Sequence, residues 1–166
     1  MTSLRIPSVV AAALAFWTVS SPAIAAPLVI GAQQSELTVS GSWRLGWAVA
    51  VDGDSAIAGS PYENNQTGAA YLFAHAGTTW TQGAKLVGSD SAANDGFGSS
   101  VALSGGWAIV GAPSAAASAG AAYIFQQSGL SWSQVAVLSG VTAGDAFGSS
   151  VAIDGETGLV GAPYTI

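Results

Sequence analysis

Few side chains in this 166-residue chain could do chemistry. His75 is the single histidine. With no acid or second ligand beside it in the sequence, it reads as a surface or packing residue rather than a catalytic base. Serines and acids are more numerous, yet no histidine-based triad can be assembled from them. Asp95 and Asp145 could be imagined as the paired carboxylates of a glycosidase. They occupy matching positions in repeated segments, however, which favours a turn role for both. Gly46, Gly98 and Gly148 open no helix, so a phosphate-cradling loop is excluded. There is no cysteine, which rules out disulfides and thiolate metal sites. Asn65-Gln66-Thr67 is a glycosylation sequon, meaningful only where the source modifies secreted asparagines. The expectation is a chain with no catalysis of its own.

Charge narrows the partners. The basic residues are Arg5, Arg44 and Lys85 alone, and the formal net charge is −6. Binding nucleic acid requires a basic surface that displaces counterions from phosphate, so no nucleic-acid partner is expected. Attachment to an anionic membrane fails for the same reason. Half the residues are hydrophobic and only 7% are charged. That balance argues against disorder, which needs the reverse.

The N-terminus reads as an address. Arg5 supplies a positive charge, and an apolar stretch runs from Val9 to Val19. Ala23-Ile24-Ala25 then fits a small-residue cleavage site. Residues 1–25 are therefore expected to be a signal peptide, and the mature chain to be secreted, periplasmic or held at the cell surface. No stretch beyond it is long enough to span a membrane.

Everything that follows is organised by repeats. Gly59-Ser60-Pro61 recurs as Gly111-Ala112-Pro113 and Gly161-Ala162-Pro163, at offsets of 52 and 50 residues. The segment Gly68 to Phe73 recurs as Gly120 to Phe125, and Trp80 recurs as Trp132, both 52 residues on. Phe97 to Ala102 recurs identically as Phe147 to Ala152, and Leu45 to Ala50 is a weaker first copy. Each unit holds four apolar runs of strand length, in the second copy about 97–104, 107–112, 120–126 and 131–138. Asp52-Gly53-Asp54, Ser104-Gly105-Gly106 and Asp154-Gly155-Glu156 join the first two runs, because glycine tolerates the positive φ that hairpin turns require. Ala76-Gly77 and Ser128-Gly129 mark a second hairpin. Four antiparallel strands every ~50 residues is the pattern of a propeller blade. Small residues suit the crowded inner strand (Gly98, Ser99, Ser100, Ala102). Tyr71, Phe73, Trp80, Tyr123, Phe125 and Trp132 are expected to be the glue between blades.

Phe97-Gly98 and Phe147-Gly148, each followed by Gly-Ala-Pro at 111–113 and 161–163, resemble the FG-GAP repeat. Such repeats form the seven-bladed propeller of integrin α chains and occur in many secreted bacterial proteins. The run from Asn94-Asp95-Gly96-Phe97-Gly98 to Trp132 is closer to the bacterial members. The resemblance covers roughly 33–166. The first copy departs from it at Leu45 and Ser60. It implies an all-β fold of four-stranded blades and a role in extracellular recognition or adhesion, towards a protein or glycan. It also implies calcium, since some integrin-type hairpins hold a carboxylate-rich loop. The matching hairpins offer Asp52 and Asp54, or Asp154 and Glu156, in loops of two to four residues. A calcium ion takes six to eight oxygens, so these loops are too short to wrap one. Solvated turn acids are the preferred reading, and no cofactor is expected. Asp90, Asn94, Asp95 and Asp145 lie between blades and offer a looser set.

The expected organisation is a linker with one outer strand (26–44, the strand at 33–39 matching Gln82 to Val87), blade 1 (45–96), blade 2 (97–146) and a partial blade 3 (147–166). Closed propellers need about four to eight blades, so the arrangement is expected to be open, with strand edges able to self-associate. The front of a longer propeller is the favoured reading, beside an open stack or a ring of several copies. On function, the alternatives to a binding module are the propeller part of a larger secreted hydrolase and a non-functional truncated product.

Overall fold

The computed structural model describes residues 36–77 and 79–165. The expected signal peptide, 1–25, lies outside them. Among the described residues, ten strands form three antiparallel sheets. β1 (Val49–Asp52), β2 (Ser55–Ser60), β3 (Ala69–Ala76) and β4 (Thr79–Leu86) pair in that order as blade 1. β5 (Ser100–Ser104), β6 (Trp107–Ala112), β7 (Ala121–Ser128) and β8 (Ser131–Ser139) repeat it as blade 2. β9 (Ser150–Asp154) and β10 (Thr157–Gly161) form the two-stranded blade 3.

The hairpins form where the turn residues demand them. Gly53, Gly129 and Gly155 lie at φ 54, 61 and 54, each as the first of two turn residues. The residues after them are not at positive φ, which is the pattern of a type II′ turn. Gly105 and Gly106 are both positive, at 55 and 79, which is type I′. Both turn types match the right-handed twist of the strands they join. The outer pairs, β3–β4 and β7–β8, shift register at equivalent places, after Tyr71 and after Ile124. One extra residue there increases the local twist of each blade.

Side chains alternate between the two faces of each sheet, so blades bury themselves by stacking. Ile57, Ala70, Leu72 and Leu86 of blade 1 share one core with Phe97, Val101, Leu103, Tyr123 and Phe125 of blade 2. Ala56, Ala58, Tyr71 and Phe73 face the other way and pack with Leu37, Val39, Leu45 and Trp80. Tyr123 and Phe125 thus lie between two blades as expected, whereas Tyr71 and Phe73 are covered by the residues preceding blade 1.

Two expectations are corrected. The strand expected at 33–39 is not one over 36–39, although Leu37 is buried where a fourth strand's leucine would be. Among the described residues no strand runs beside it, so there is no ladder to define it. The inner strand of blade 2 begins at Ser100 rather than 97. Gly98 sits at φ 93, outside the extended region, because Phe97 and Gly98 serve the junction instead.

Candidate interaction surface

The junction between blades is what holds any surface rigid. Phe97 is fully buried and meets Tyr123 and Phe125 edge-on, with ring centroids 5.1 and 6.1 Å away. Such pairs add about 0.5–1.5 kcal/mol beyond the area they bury. Gly98 donates its N–H to Gly111 of its own blade at 3.0 Å. Its carbonyl oxygen lies 2.0 Å from where a Cβ on Gly59 of the preceding blade would be. The same arrangement recurs one repeat on, between Gly148 and Gly111, also at 2.0 Å. Ser100 Oγ donates to that Gly148 carbonyl at 2.7 Å. The Phe-Gly of one repeat and the Gly of the preceding Gly-x-Pro corner are therefore two sides of one backbone contact. No side chain fits between them.

The connections between strands collect at two ends of the blades. At the loop end lie 61–68, 87–99, 113–120 and 140–149. A single turn at Glu63–Gln66 has Asn64, Asn65 and Gln66 in the left-handed region, at φ 47, 54 and 63. This conformation aims successive carbonyls at the next blade. Asn65, Gln66 and Thr67 accept from the N–H groups of Asn94, Gly96 and Phe97. The equivalent turn, Ala115–Ser118, does the same with Ser118 and Ala119 accepting from Gly144, Ala146 and Phe147. Sequence reasoning missed both turns. Asn64-Asn65 carried a signal for left-handed backbone, but Ala116-Ala117 carried none.

Also missed was a polar cluster beside the first of these turns, with Glu63 and Tyr71 buried and Lys85 at the surface. Tyr71 Oη donates to the Glu63 carboxylate at 2.8 Å, and Lys85 Nζ reaches it at 2.5 Å. Burial and the Glu63 carboxylate both push the Tyr71 hydroxyl above its ordinary range. The Lys85 ammonium is raised chiefly by its bond to Glu63. In blade 2 the matching positions are Ala115, Tyr123 and Val137, so only the tyrosine persists. Burial drives the Tyr123 hydroxyl up to about 12, with Ser91 opposing the rise and Asp90 adding to it.

At the opposite, turn end, Asp52 Oδ2 accepts from the Gly105 N–H of the next hairpin at 2.6 Å. Ser104 Oγ accepts from Gly155 N–H in the same way at 3.1 Å. Asp154 occupies the third equivalent position and is exposed. Asp54 lies 3.4 Å from His75 Nδ1, so the lone histidine does have a carboxylate neighbour, contrary to expectation. Trp80 stacks on its ring at 4.8 Å.

These positions separate the calcium candidates. Asp52, Asp54 and Asp154 stand at the turn end, Asp95 and Asp145 at the loop end. Asp52 is occupied by an amide, and Asp95 Oδ2 accepts from Ala92 N–H at 2.7 Å within its own turn. Asp145 is buried. Among the described residues no three acidic or histidine side chains converge. A donor set spread this way does not fit an ion that needs six to eight oxygens.

What the geometry offers is two rigid rims. The loop rim displays apolar groups, with Trp43, Val141 and Tyr164 exposed. Stacked four-stranded sheets with inner strands side by side define an open, partial propeller. The chain belongs to the FG-GAP repeat family, whose profile matches residues 33–73, 80–125 and 132–165. The second and third matches start in the outer strands β4 and β8 and carry on into the next blade, so sequence repeat and blade are offset by one strand. No curated protein matches the chain. Among the described residues no helix is long and apolar enough to cross a membrane.

Proposed function

We propose that this protein is a secreted, non-catalytic recognition module that uses its loop rim to hold an extracellular protein or glycan. The observation that carries this reading is the backbone locking of that rim. Three consecutive carbonyls of one blade are bonded to the loop of the next, and at the following junction two carbonyls take the equivalent three bonds. A surface held in this way loses little conformational freedom on binding, which favours affinity. Trp43 and Tyr164 fit the role of anchors, since aromatic side chains dominate binding hot spots. Membership of the FG-GAP family and the N-terminal leader pattern support an extracellular setting. The acidic balance supports a partner that is not itself strongly acidic.

The test is a binding screen of the purified protein, without residues 1–25, against a glycan array and immobilised extracellular-matrix proteins. Saturable binding that Trp43→Ala or Tyr164→Ala weakens at least tenfold is the expected result. Turnover of a substrate, abolished by a single substitution, overturns the non-catalytic reading.

A further inference from the structure

Four residues at the loop end of blade 1 break the repeat together. Trp43, Arg44, Trp47 and Tyr62 stand where blade 2 has Asp95, Gly96, Ser99 and Ser114. Blade 3 has Asp145, Ala146 and Ser149 there, and only the tyrosine returns, as Tyr164. The Arg44 guanidinium lies over the Tyr62 ring, 4.2 Å from its centroid, and 5.8 Å from that of Trp47. Trp47 meets Tyr62 edge-on at 5.3 Å. The segment that carries Trp43 and Arg44 is pinned. Ser60, which is fully buried, donates its hydroxyl to the Trp43 carbonyl at 2.8 Å. Ala112 and Ala162 hold that place in the other blades and have no hydroxyl to give. The departure of Ser60 from Gly-Ala-Pro thus serves the same group. Arg44 sits at φ 58, and its carbonyl accepts from the Trp47 N–H at 3.2 Å.

These positions are open to solvent even where a preceding blade is in place. At the complete junction of blades 1 and 2, Asp95, Gly96 and Ser99 are only half-buried and Ser114 is exposed. Trp43 and Trp47 are 70% and 53% exposed. Of the two basic residues beyond the leader pattern, Lys85 is bonded to Glu63. Arg44 forms no ion pair and no side-chain hydrogen bond among the described residues. Tyr62 occupies a face of its guanidinium, which leaves the N–H edge free. That edge matches a carboxylate, with two parallel N–H donors for two oxygens.

We propose that Trp43, Arg44, Trp47 and Tyr62 form a binding site for a sugar residue that carries one carboxylate, a uronate within an otherwise neutral glycan. The inference rests on the recognition role of the loop rim and names its ligand. One unpaired cation on a chain of net charge −6 holds one negative group, and a run of them is repelled. The rings supply the rest of the site. A pyranose presents C–H groups of partial positive charge along its face, and an aromatic ring presents a negative face to them. A uronate carries its carboxylate directly on the sugar ring, so a single residue can meet the guanidinium and a tryptophan at once. An aspartate or glutamate side chain brings the carboxylate without the flat face.

The experiment titrates the purified protein with three trisaccharides, alike except that one ends in glucuronate, one in its methyl ester and one in glucose. A fourth ligand is the end-capped peptide Gly-Asp-Gly. Calorimetry gives the affinities. Saturable binding of the glucuronate sugar is expected, with the ester and the glucose sugar roughly 10- to 100-fold weaker, the range for losing a charged hydrogen-bonded pair. Arg44→Asn installs a residue that tolerates positive φ. It is expected to weaken the glucuronate sugar by the same factor, leaving the glucose sugar and the circular dichroism unchanged. Absence of saturation, equal binding of the three sugars, an unchanged affinity in Arg44→Asn, or tighter binding of the peptide overturns the proposal. The rim itself is judged separately. Array or matrix ligands that Trp43→Ala weakens and Arg44→Asn does not would keep the rim and reject the uronate site. Binding that neither Trp43→Ala nor Tyr164→Ala weakens rejects both.

Discussion

Replacing Gly59 by alanine is expected to disrupt the junction between blades 1 and 2, while the same change at Gly161 is expected to be nearly silent. The two residues occupy the same place in the Gly-x-Pro corner, and neither has a positive φ, so backbone strain is equal in both. The difference lies in the neighbour. A Cβ on Gly59 would stand 2.0 Å from the Gly98 carbonyl oxygen, and real Cβ contacts stay beyond 3.0 Å, so the two backbones must part by at least 1.0 Å. Gly98 has nowhere to retreat. It is bonded to Gly111, and its own α-carbon faces the Ala69 carbonyl, which would stand 2.4 Å from a Cβ placed there. Overpacking of this kind costs about 1–3 kcal/mol, and the rigid backbone on both sides places this case near the top of that range. In a domain of this size that lowers the melting temperature by roughly 10 °C. At Gly161 the nearest atom is Ser150 Oγ at 2.3 Å, a rotatable side-chain end on an exposed strand. The expected cost there is below about 1 kcal/mol. Urea unfolding followed by far-ultraviolet circular dichroism measures both. Equal losses at the two sites would refute the assignment of this glycine to the junction.

Phe97→Ala is expected to cost about 3–5 kcal/mol, the range for a buried phenylalanine. Phe147→Ala, at the half-covered junction with blade 3, should cost less than half as much in the same urea melts. Ala117→Asn should raise stability by about 1 kcal/mol, because alanine is strained in the left-handed region and asparagine tolerates it. Asn65 already occupies the matching place in blade 1, and a thermal melt reads the gain. Stability should also fall in strong alkali. The Tyr123 proton, held in the folded state up to about 12 against 10.0 for a free tyrosine, is released first by the unfolded chain. The unfolded state then binds fewer protons, and stability declines as pH rises from about 10 to 12, by around 2 kcal/mol in all. Urea midpoints between pH 9 and 12 should show this slope in the wild type and a shallower one in Tyr123→Phe.

Blades, hairpins and the division of the chain were legible because each depends on a pattern inside one repeat. Alternating apolar residues mark a strand, and Gly53, Gly105 or Gly155 marks its turn. Contacts between repeats were not legible in that way. Nothing within a single unit says that Gly98 rests on Gly59, or that Asp52 caps Gly105, because the partners are about 40 to 50 residues apart and each looks like an ordinary turn residue. His75 and Asp54, 21 residues apart within one blade, meet because β2 and β3 are paired so that their ends coincide. The strand expected at 33–39 is absent over its described residues, 36–39, for a different reason. Its composition matched β4, but strand geometry requires a partner ladder that composition does not supply. The Glu63 cluster was hidden because it is confined to one blade, and repeat comparison highlights what recurs.

The one-strand offset between sequence repeat and blade bears on how such a chain grows. A duplicated unit of 50 or so residues does not add a self-contained slab beside the old ones. Its first segment completes the neighbour's sheet, and its remaining strands wait for the next unit to complete theirs. Gene duplication can therefore lengthen the array without inventing a new interface, since every added copy meets its neighbours through contacts the lineage already possesses. A unit lost from the middle is healed by the same rule, and only the two ends feel a change in number.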